Sequence, residues 1–376
     1  MTISVSTGGG GLVVAIEELL ESGRRLTALA VRADAAYDGA CTAILEAQAV
    51  ARPTAWWLFL VKERLGSFAS DARRLAGELS TAADAYAAAE RAAMAVQHAY
   101  MQRWYDGLLL VPGRAFEEGA VEAAPAGAPF RASAPAGFAA LAVRIPASDP
   151  AAPQVRVERY AQDDGTVRWV VYSAGTSSWN PVPGANPWDL TADVSGVEAG
   201  RAGSTAATMA ALAQAGWRPG DEVLPVGHSQ GGLVATGIAT SGLIAAPMLV
   251  TFGSPTRQVK APAGTLDIAV EHTDDVVPLT GGSLGVPGDR RVVVREAAPP
   301  VPAGSGGLPA HSMVGYQQTA QAMDESADAR LVSARTRLAR FTGGKDAEVT
   351  LWKGKRVPAP EGPPAIGSGA PSAGGW

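Results

Sequence analysis

Apolar residues recur with helical spacing along the first quarter of the chain. Across 65–86 the intervals alternate between three and four residues, which places these side chains on one face of a helix. The surrounding stretch is rich in Ala, Leu, Glu and Arg, and its one proline, Pro53, separates two helical segments, with Thr54 available to cap the second. Residues 1–106 are therefore predicted to form a long antiparallel hairpin with helices at about 12–50 and 55–106.

The two arms of this hairpin carry more apolar positions than they can cover on each other. Arms of roughly 60 and 80 Å, at about 1.5 Å per residue, have a narrow mutual surface. We therefore expect the hairpin to pack on the rest of the chain, to self-associate or to bind a helical partner.

Strand-like and helix-like patterns alternate over 151–342, which predicts an α/β domain with a mostly parallel sheet. The predicted strands are 155–160, 167–173, 222–227, 247–252, 266–271 and 291–295. The predicted helices are 204–216, 230–241, 312–323 and 328–341. Residues 107–150 are rich in Gly, Pro and Ala and are predicted to be a linker with one strand near 138–144. Residues 343–376 contain eight Gly and five Pro and are predicted to be a disordered tail.

Composition excludes several function classes. The 376 residues carry a formal net charge of −5 and no long basic run, which argues against nucleic-acid binding. A single cysteine, Cys41, excludes an intramolecular disulfide and a multi-cysteine zinc site. No apolar run is long enough to predict a transmembrane helix, and the N-terminus lacks the basic region of a standard cleavable signal peptide. We predict neither a metal nor a cofactor.

A candidate nucleophile follows the strand predicted at 222–227. Gly227-His228-Ser229-Gln230-Gly231 matches the G-x-S-x-G pattern, and the motif stands between a strand and a helix, as a nucleophile turn requires. An ordinary glycine-rich turn is the competing interpretation. The strand before it and the helix after it favour Ser229 as a nucleophile.

The base is chosen by elimination among four histidines. His98 lies in the hairpin, His228 adjoins the serine and is expected to point elsewhere, and His272 ends a strand just before a better candidate for the acid. His311 follows the last predicted strand and a Pro/Gly-rich loop, and it opens a helix. His311 is therefore the predicted base.

The acid and the oxyanion donors are expected at the same sheet edge. Asp274 and Asp275 follow the strand at 266–271, and their spacing does not separate them. The order of serine, aspartate and histidine along the chain is that of α/β-hydrolases. The N–H of Gln230 is one expected oxyanion donor, and Thr176, after the strand at 167–173, is a candidate for the other.

Residues 167–325 resemble the class 3 lipase type of α/β-hydrolase and related actinobacterial lipase-like proteins. Four blocks carry the resemblance: Val-Val-Tyr-Ser-Ala-Gly-Thr (170–176), Val-Gly-His-Ser-Gln-Gly-Gly (226–232), Thr-Phe-Gly-Ser-Pro (251–255) and Thr-Asp-Asp-Val-Val-Pro (273–278). The resemblance implies Asp275 rather than Asp274 as the acid and Thr176 at the oxyanion loop. Gln230 departs from the leucine common in the family. Residues 177–200 occupy the approximate place of the family's lid, either as a lid or as a rigid surface loop.

A second resemblance lies in the hairpin. Tyr86-Ala87-Ala88-Ala89-Glu90 is similar to the Y-x-x-x-D/E export signal of type VII secretion substrates, although the usual Trp-x-Gly turn is missing. In the competing interpretation Tyr86 continues the apolar stripe and Glu90 is a solvated charge. The resemblance implies secretion by a type VII-like route, and a cytoplasmic location is the alternative.

Together these observations predict a serine hydrolase that cleaves a carboxylic ester, of lipid or acyl type, with Ser229, His311 and Asp275 as the triad. Two alternatives stay open. The hydrolase fold could serve as the scaffold of an interaction or secretion module, or the same triad could carry out acyl transfer or thioester cleavage.

Overall fold

A computed structural model describes most of the chain. The described residues are 3–7, 11–49, 56–108, 120–178, 184–189, 192, 202–282, 290–302 and 308–357. They comprise an N-terminal helical hairpin and a mixed sheet with flanking helices, an α/β class.

The N-terminal hairpin consists of α1 (Gly11–Ala49) and α2 (Trp56–Leu108), as predicted. Small side chains allow the two helices to approach closely, and the buried centre of their contact contains Ala30, Ala33, Ala69 and Ala72. Arg73 also pairs with Asp34 across the helices. The helix α2 includes Tyr86 and Glu90, whose side chains lie outside the described part, so the predicted export signal has no structural account.

The remaining chain builds the α/β part. Its strands, together with the short N-terminal one, are β1 (Ser4–Thr7), β2 (Val121–Pro125), β3 (Phe130–Ala132), β4 (Val155–Ala161), β5 (Val167–Ser173), β6 (Glu222–His228), β7 (Met248–Phe252), β8 (Leu266–His272), β9 (Arg291–Glu296) and β10 (Ala347–Arg356). Its helices are α3 (Phe138–Arg144), α4 (Gly203–Gln214), α5 (Gln230–Thr240), α6 (Val277–Thr280), α7 (Met313–Glu325) and α8 (Ala329–Thr342), and a 3₁₀ turn spans Pro309–His311.

The sheet is mixed rather than mostly parallel. Its order is β1-β9-β8-β7-β6-β5-β4-β10-β2, and β3 also pairs with β10. Neighbouring strands from β5 to β9 are parallel, as the alternating pattern predicted, whereas every pairing outside this centre is antiparallel. The prediction did not recognise β1, β2, β3 and β10 as strands, and it did not identify the antiparallel pairing of β4 with β5, two strands that it did contain.

The structure differs from the predicted linker and tail. Residues 138–144, expected to form a strand, form helix α3, whose buried Phe138, Leu141 and Ala142 follow helical spacing. The Asp324 carboxylate accepts the N–H groups of Phe138 and Ala139 and satisfies the first turn of this helix. Strands β2 and β3, within the predicted linker, both pair with β10, which lies in the predicted tail. Residues 358–376 lie outside the described residues.

Two apolar layers cover the faces of the sheet. One layer joins α3, α7 and α8 to the strands through side chains such as Phe138, Tyr316 and Leu338. The other places α4 against residues such as Trp169 and Trp352. Within the part of the chain that the structure describes, no helix is long and apolar enough to cross a membrane. The layers fix the carboxyl ends of the parallel strands, where the candidate site lies.

Candidate active site

Ser229 occupies a strained turn between β6 and α5. Its φ of 56° is positive, and among the described residues no other non-glycine residue has a positive φ. Its N–H donates to Phe252 O at 3.0 Å, and its carbonyl accepts the Gly232 N–H at 3.0 Å. Such strain persists where the surroundings fix it, and it concentrates at functional sites.

Two glycines allow the turn to pack against its neighbours. A Cβ at Gly227 would stand 1.9 Å from Gly231 O, and a Cβ at Gly231 would stand 2.1 Å from Ser173 O. Both contacts are with backbone, which cannot move aside as a flexible side chain can. The glycines of the motif are therefore required by close packing of β5, β6 and α5.

Replacing Gly231 by alanine should destabilise the fold by about 3 kcal/mol or more, since the new methyl group overlaps the Ser173 carbonyl. Gly237 in the same helix is the matched control, because its nearest neighbour is 3.4 Å away. Gly237→Ala should be neutral or stabilise by up to about 1 kcal/mol. Urea unfolding of both variants checks this, and equal stability of the two would refute the packing account.

The predicted serine, histidine and aspartate lie together. His311 Nε2 is 2.8 Å from Ser229 Oγ, and His311 Nδ1 is 2.7 Å from Asp275 Oδ2. A proton on Nδ1 satisfies the carboxylate and leaves Nε2 free to accept the serine proton. The three side chains thus form a continuous hydrogen-bonded chain, although they come from elements far apart in sequence.

Asp275 is held as a buried carboxylate. Its Oδ1 accepts the Val277 N–H at 2.9 Å, and its Oδ2 accepts the Tyr316 hydroxyl at 2.7 Å as well as His311. Burial acts to raise its pKa, but the hydrogen bonds and charge of His311, with the bonds from Tyr316 and Val277, bring the pKa below its usual value. Asp274 instead accepts the Ala298 N–H at 2.8 Å, so Asp275 is the one that contacts His311.

Tyr316, on α7, was not identified from the sequence. Besides donating to Asp275, its hydroxyl accepts the His272 N–H at 3.2 Å, and its ring stacks on the His272 ring at a centroid distance of 3.8 Å. Gly253 has a φ of 55°, and a Cβ there would stand 2.7 Å from the Tyr316 ring. The position of Tyr316, five residues after His311, was the available sequence signal, but spacing alone does not distinguish it from a core tyrosine.

Tyr316→Phe should lower kcat/KM by about tenfold and move the acidic limb of its pH profile to higher pH. The Tyr316 hydroxyl is one of the donors that hold the pKa of Asp275 below its usual value, so without it the carboxylate that contacts His311 takes up a proton at higher pH. The full pH profile of kcat/KM checks this. A loss of activity with an unchanged acidic limb would show that Tyr316 acts through packing alone.

His228 lies beside the base, contrary to the expectation that it points elsewhere. Its ring stacks on that of His311 at a centroid distance of 4.7 Å, and its Nε2–H donates to the His311 carbonyl at 3.1 Å. His272 Nδ1–H donates to the carbonyl of the preceding residue, Ala310, at 2.6 Å. Two histidines that are not part of the triad therefore fix the backbone that carries His311.

Burial, together with the neighbouring His311, lowers the pKa of His228 to about 3. In the unfolded chain the same histidine takes up a proton near pH 6.5, whereas in the folded protein it remains neutral. The contribution of His228 to stability is therefore complete above pH 6.5 and is lost as the pH falls toward 3. Lowering the pH from 7 to 5 should therefore lower the free energy of unfolding by about 2 kcal/mol. Urea unfolding at both pH values should show this loss for the parent and a smaller loss for His228→Gln. Equal losses would contradict it.

The predicted oxyanion donors belong to two segments that meet at Ser229. Gln230 begins α5 directly after Ser229, so its N–H belongs to the first turn of that helix, where the helix dipole is positive. The loop after β5 lies against the nucleophile, since a Cβ at Gly175 would stand 3.2 Å from Ser229 Cβ. Thr176 is the next residue after Gly175, so it begins one residue from this contact with Ser229.

The region proposed as a lid is described only in part. Trp188 is fully buried, and its Nε1–H donates to Ser173 Oγ at 3.1 Å. Asp189 forms a two-pronged ion pair with Arg356 of β10, and its carbonyl accepts the Gln230 amide. These contacts anchor 184–189 to the sheet, which favours the rigid-loop interpretation there. Residues 179–183 and 193–200, including Trp179, lie outside the described residues.

Neither a family model nor a curated protein nor a solved structure matches this chain. Among the described residues, no group of three or more His, Cys, Asp or Glu side chains is placed to hold a metal ion. The interpretation of the site therefore depends on its own geometry.

Proposed function

We propose that this chain is a serine hydrolase of the α/β-hydrolase type that cleaves carboxylic esters of lipid or acyl kind. The observation that carries the proposal is the hydrogen-bonded chain from Ser229 through His311 to Asp275, with contacts of 2.8 and 2.7 Å. The strained backbone of Ser229 at the start of a helix supports the same interpretation.

The reaction follows from this arrangement. Ser229 Oγ attacks the ester carbonyl while His311 Nε2 takes its proton, and Asp275 stabilises the resulting imidazolium. The N–H groups of Gln230 and Thr176 stabilise the oxyanion. His311 then returns the proton to the leaving alcohol, and water, activated by the same histidine, releases the acid and regenerates the serine.

An apolar acyl group is supported by the side chains next to the triad. Val276 directly follows Asp275, and Val314 lies three residues after His311; both are exposed. Leu308 is exposed too, and its carbonyl accepts the His311 N–H at 3.0 Å. Each of these exposed apolar side chains lies within three residues of Asp275 or His311 along the chain, and apolar side chains beside a reactive centre favour a substrate with a hydrocarbon portion.

Hydrolysis of a series of p-nitrophenyl esters by the full chain tests the proposal. We expect turnover well above the buffer rate, and a higher kcat/KM for medium-length acyl chains than for acetate. No turnover with any member of the series would reject the ester hydrolase and favour a fold that serves as the scaffold of an interaction or secretion module. A new ester formed in the presence of an added alcohol would instead identify acyl transfer.

A further inference from the structure

The end of the hairpin formed by the last turns of α1 and the first turns of α2 is unusually apolar. We call this surface the apolar tip, and its exposed members are Leu45, Trp56, Trp57, Phe59, Leu60 and Val61. Trp56 and Leu45 are 66% and 67% exposed. The two helix ends are adjacent, since the Gly66 position contacts the Tyr37 ring and Lys62 Nζ lies 5.5 Å from the same ring.

The apolar tip is not one stripe of a helix. Successive helical residues point roughly 100° apart, so the five exposed members on α2 project around more than half of its circumference. The intervening Leu58 is half-buried. A single partner helix covers a stripe about 100° wide, which would leave part of this surface in water. A medium that is apolar on every side covers all of it.

The other side chains that the structure describes in the hairpin differ from the apolar tip. Further along, the exposed surface carries ion pairs between residues one helical turn apart, such as Arg74 with Glu78 and Arg24 with Glu21. Apolar side chains exposed there, such as Val31 and Phe68, are separated by charged and polar residues. Among the hairpin side chains that the structure describes, large exposed apolar residues are thus most concentrated at this end.

Charge and residue type favour a lipid surface. From Leu45 to Arg64 the sequence contains the cations Arg52, Lys62 and Arg64 against the acids Glu46 and Glu63, a net charge of +1, although the whole chain is acidic with a net charge of −5. Tryptophan concentrates at the membrane–water interface, and each cation near an anionic bilayer adds about 1 kcal/mol of attraction. A sequence with a local excess of cations at an apolar, tryptophan-rich end is complementary to anionic phospholipid.

We propose that the apolar tip inserts into the boundary between headgroups and acyl chains of an anionic phospholipid bilayer and so attaches the chain to a membrane surface. The apolar side chains replace water with lipid, while Lys62 and Arg64 remain at the level of the headgroups. This inference does not depend on the proposed hydrolysis, because it involves no residue of the site.

Cosedimentation of the full chain with vesicles tests the proposal. The chain carries Ser229→Ala so that vesicle lipid is not consumed, and the vesicles are phosphatidylcholine alone or an equal mixture with phosphatidylglycerol. We expect binding to the mixed vesicles, weaker binding to phosphatidylcholine, and a blue shift of tryptophan emission on binding. Adding Trp56→Ser and Trp57→Ser should lower the partition coefficient at least about tenfold and remove most of the blue shift.

Val31→Ser with Phe68→Ser is the matched control, since both residues are exposed apolar positions of the same hairpin outside the apolar tip. This control should bind within about twofold of the parent. Failure of the parent to bind either vesicle would overturn the proposal, as would equal binding of the two double variants. Equal binding to both vesicles would overturn the anionic requirement. If the chain does not bind vesicles but forms a dimer without lipid, and the tip variant abolishes that dimer, the occupant of the apolar tip is a second copy of the chain.

Discussion

Ser229→Ala is expected to lower kcat for p-nitrophenyl esters by about 10⁴- to 10⁶-fold, because the atom that forms the acyl-enzyme is removed. The variant should remain folded, since the strained backbone at Ser229 is held by bonds to Phe252 O and the Gly232 N–H, which involve no side-chain atom of Ser229. Steady-state kinetics with a thermal unfolding curve check both parts.

Ser241→Ala is the matched control for this substitution. Ser241 caps the other end of helix α5, and its hydroxyl bonds to the Ile238 carbonyl, remote from His311. Its kcat should stay within about twofold of the parent. A Ser229→Ala variant that retains more than a hundredth of the parental kcat would contradict the assignment of the nucleophile.

Asp275→Asn should lower kcat by about 10⁴-fold with little change in KM. The amide that replaces the carboxylate can donate a hydrogen bond to His311 Nδ1, and this bond favours the tautomer in which the imidazole carries its proton on Nε2. In that tautomer Nε2 cannot accept the proton of Ser229. The substitution also removes the charge that stabilises the imidazolium in the transition state.

The neighbouring residue offers a direct comparison. Asp274 accepts a hydrogen bond from the Ala298 N–H and makes no contact with His311. Asp274→Asn should therefore lower kcat by about tenfold at most. Kinetics of the two variants on one ester provide the measurement. Similar losses in both variants, or a larger loss for Asp274→Asn, would contradict the geometry of the acid.

The parts of the site that could be predicted from sequence are those that local chemistry fixes. Ser229 stands in a short motif whose glycines are required by backbone packing, and the structure shows those close approaches at Gly227 and Gly231. His311 could be predicted as the base because the chain contains only four histidines. The choice of Asp275 over Asp274 came from the family resemblance, since the spacing alone left both open.

The parts that could not be predicted depend on contacts between distant segments. Strand β10 follows two glycines in a segment whose composition suggests a tail, and it becomes a strand by pairing with β4, nearly 200 residues earlier. Tyr316 resembles any core tyrosine until β8 and α7 bring its hydroxyl to Asp275. His228 shows the same limit, because its contact with His311 depends on the fold of the 3₁₀ turn.

Labelling with a fluorophosphonate probe, followed by peptide mapping, tests whether Ser229 is an activated nucleophile. An activated serine attacks phosphorus and forms a stable adduct, whereas an ordinary serine does not react. We expect a single modified residue, Ser229, and no labelling in His311→Ala, because the base that activates the serine is then lost. An unlabelled chain, or a label on a different serine, would contradict it.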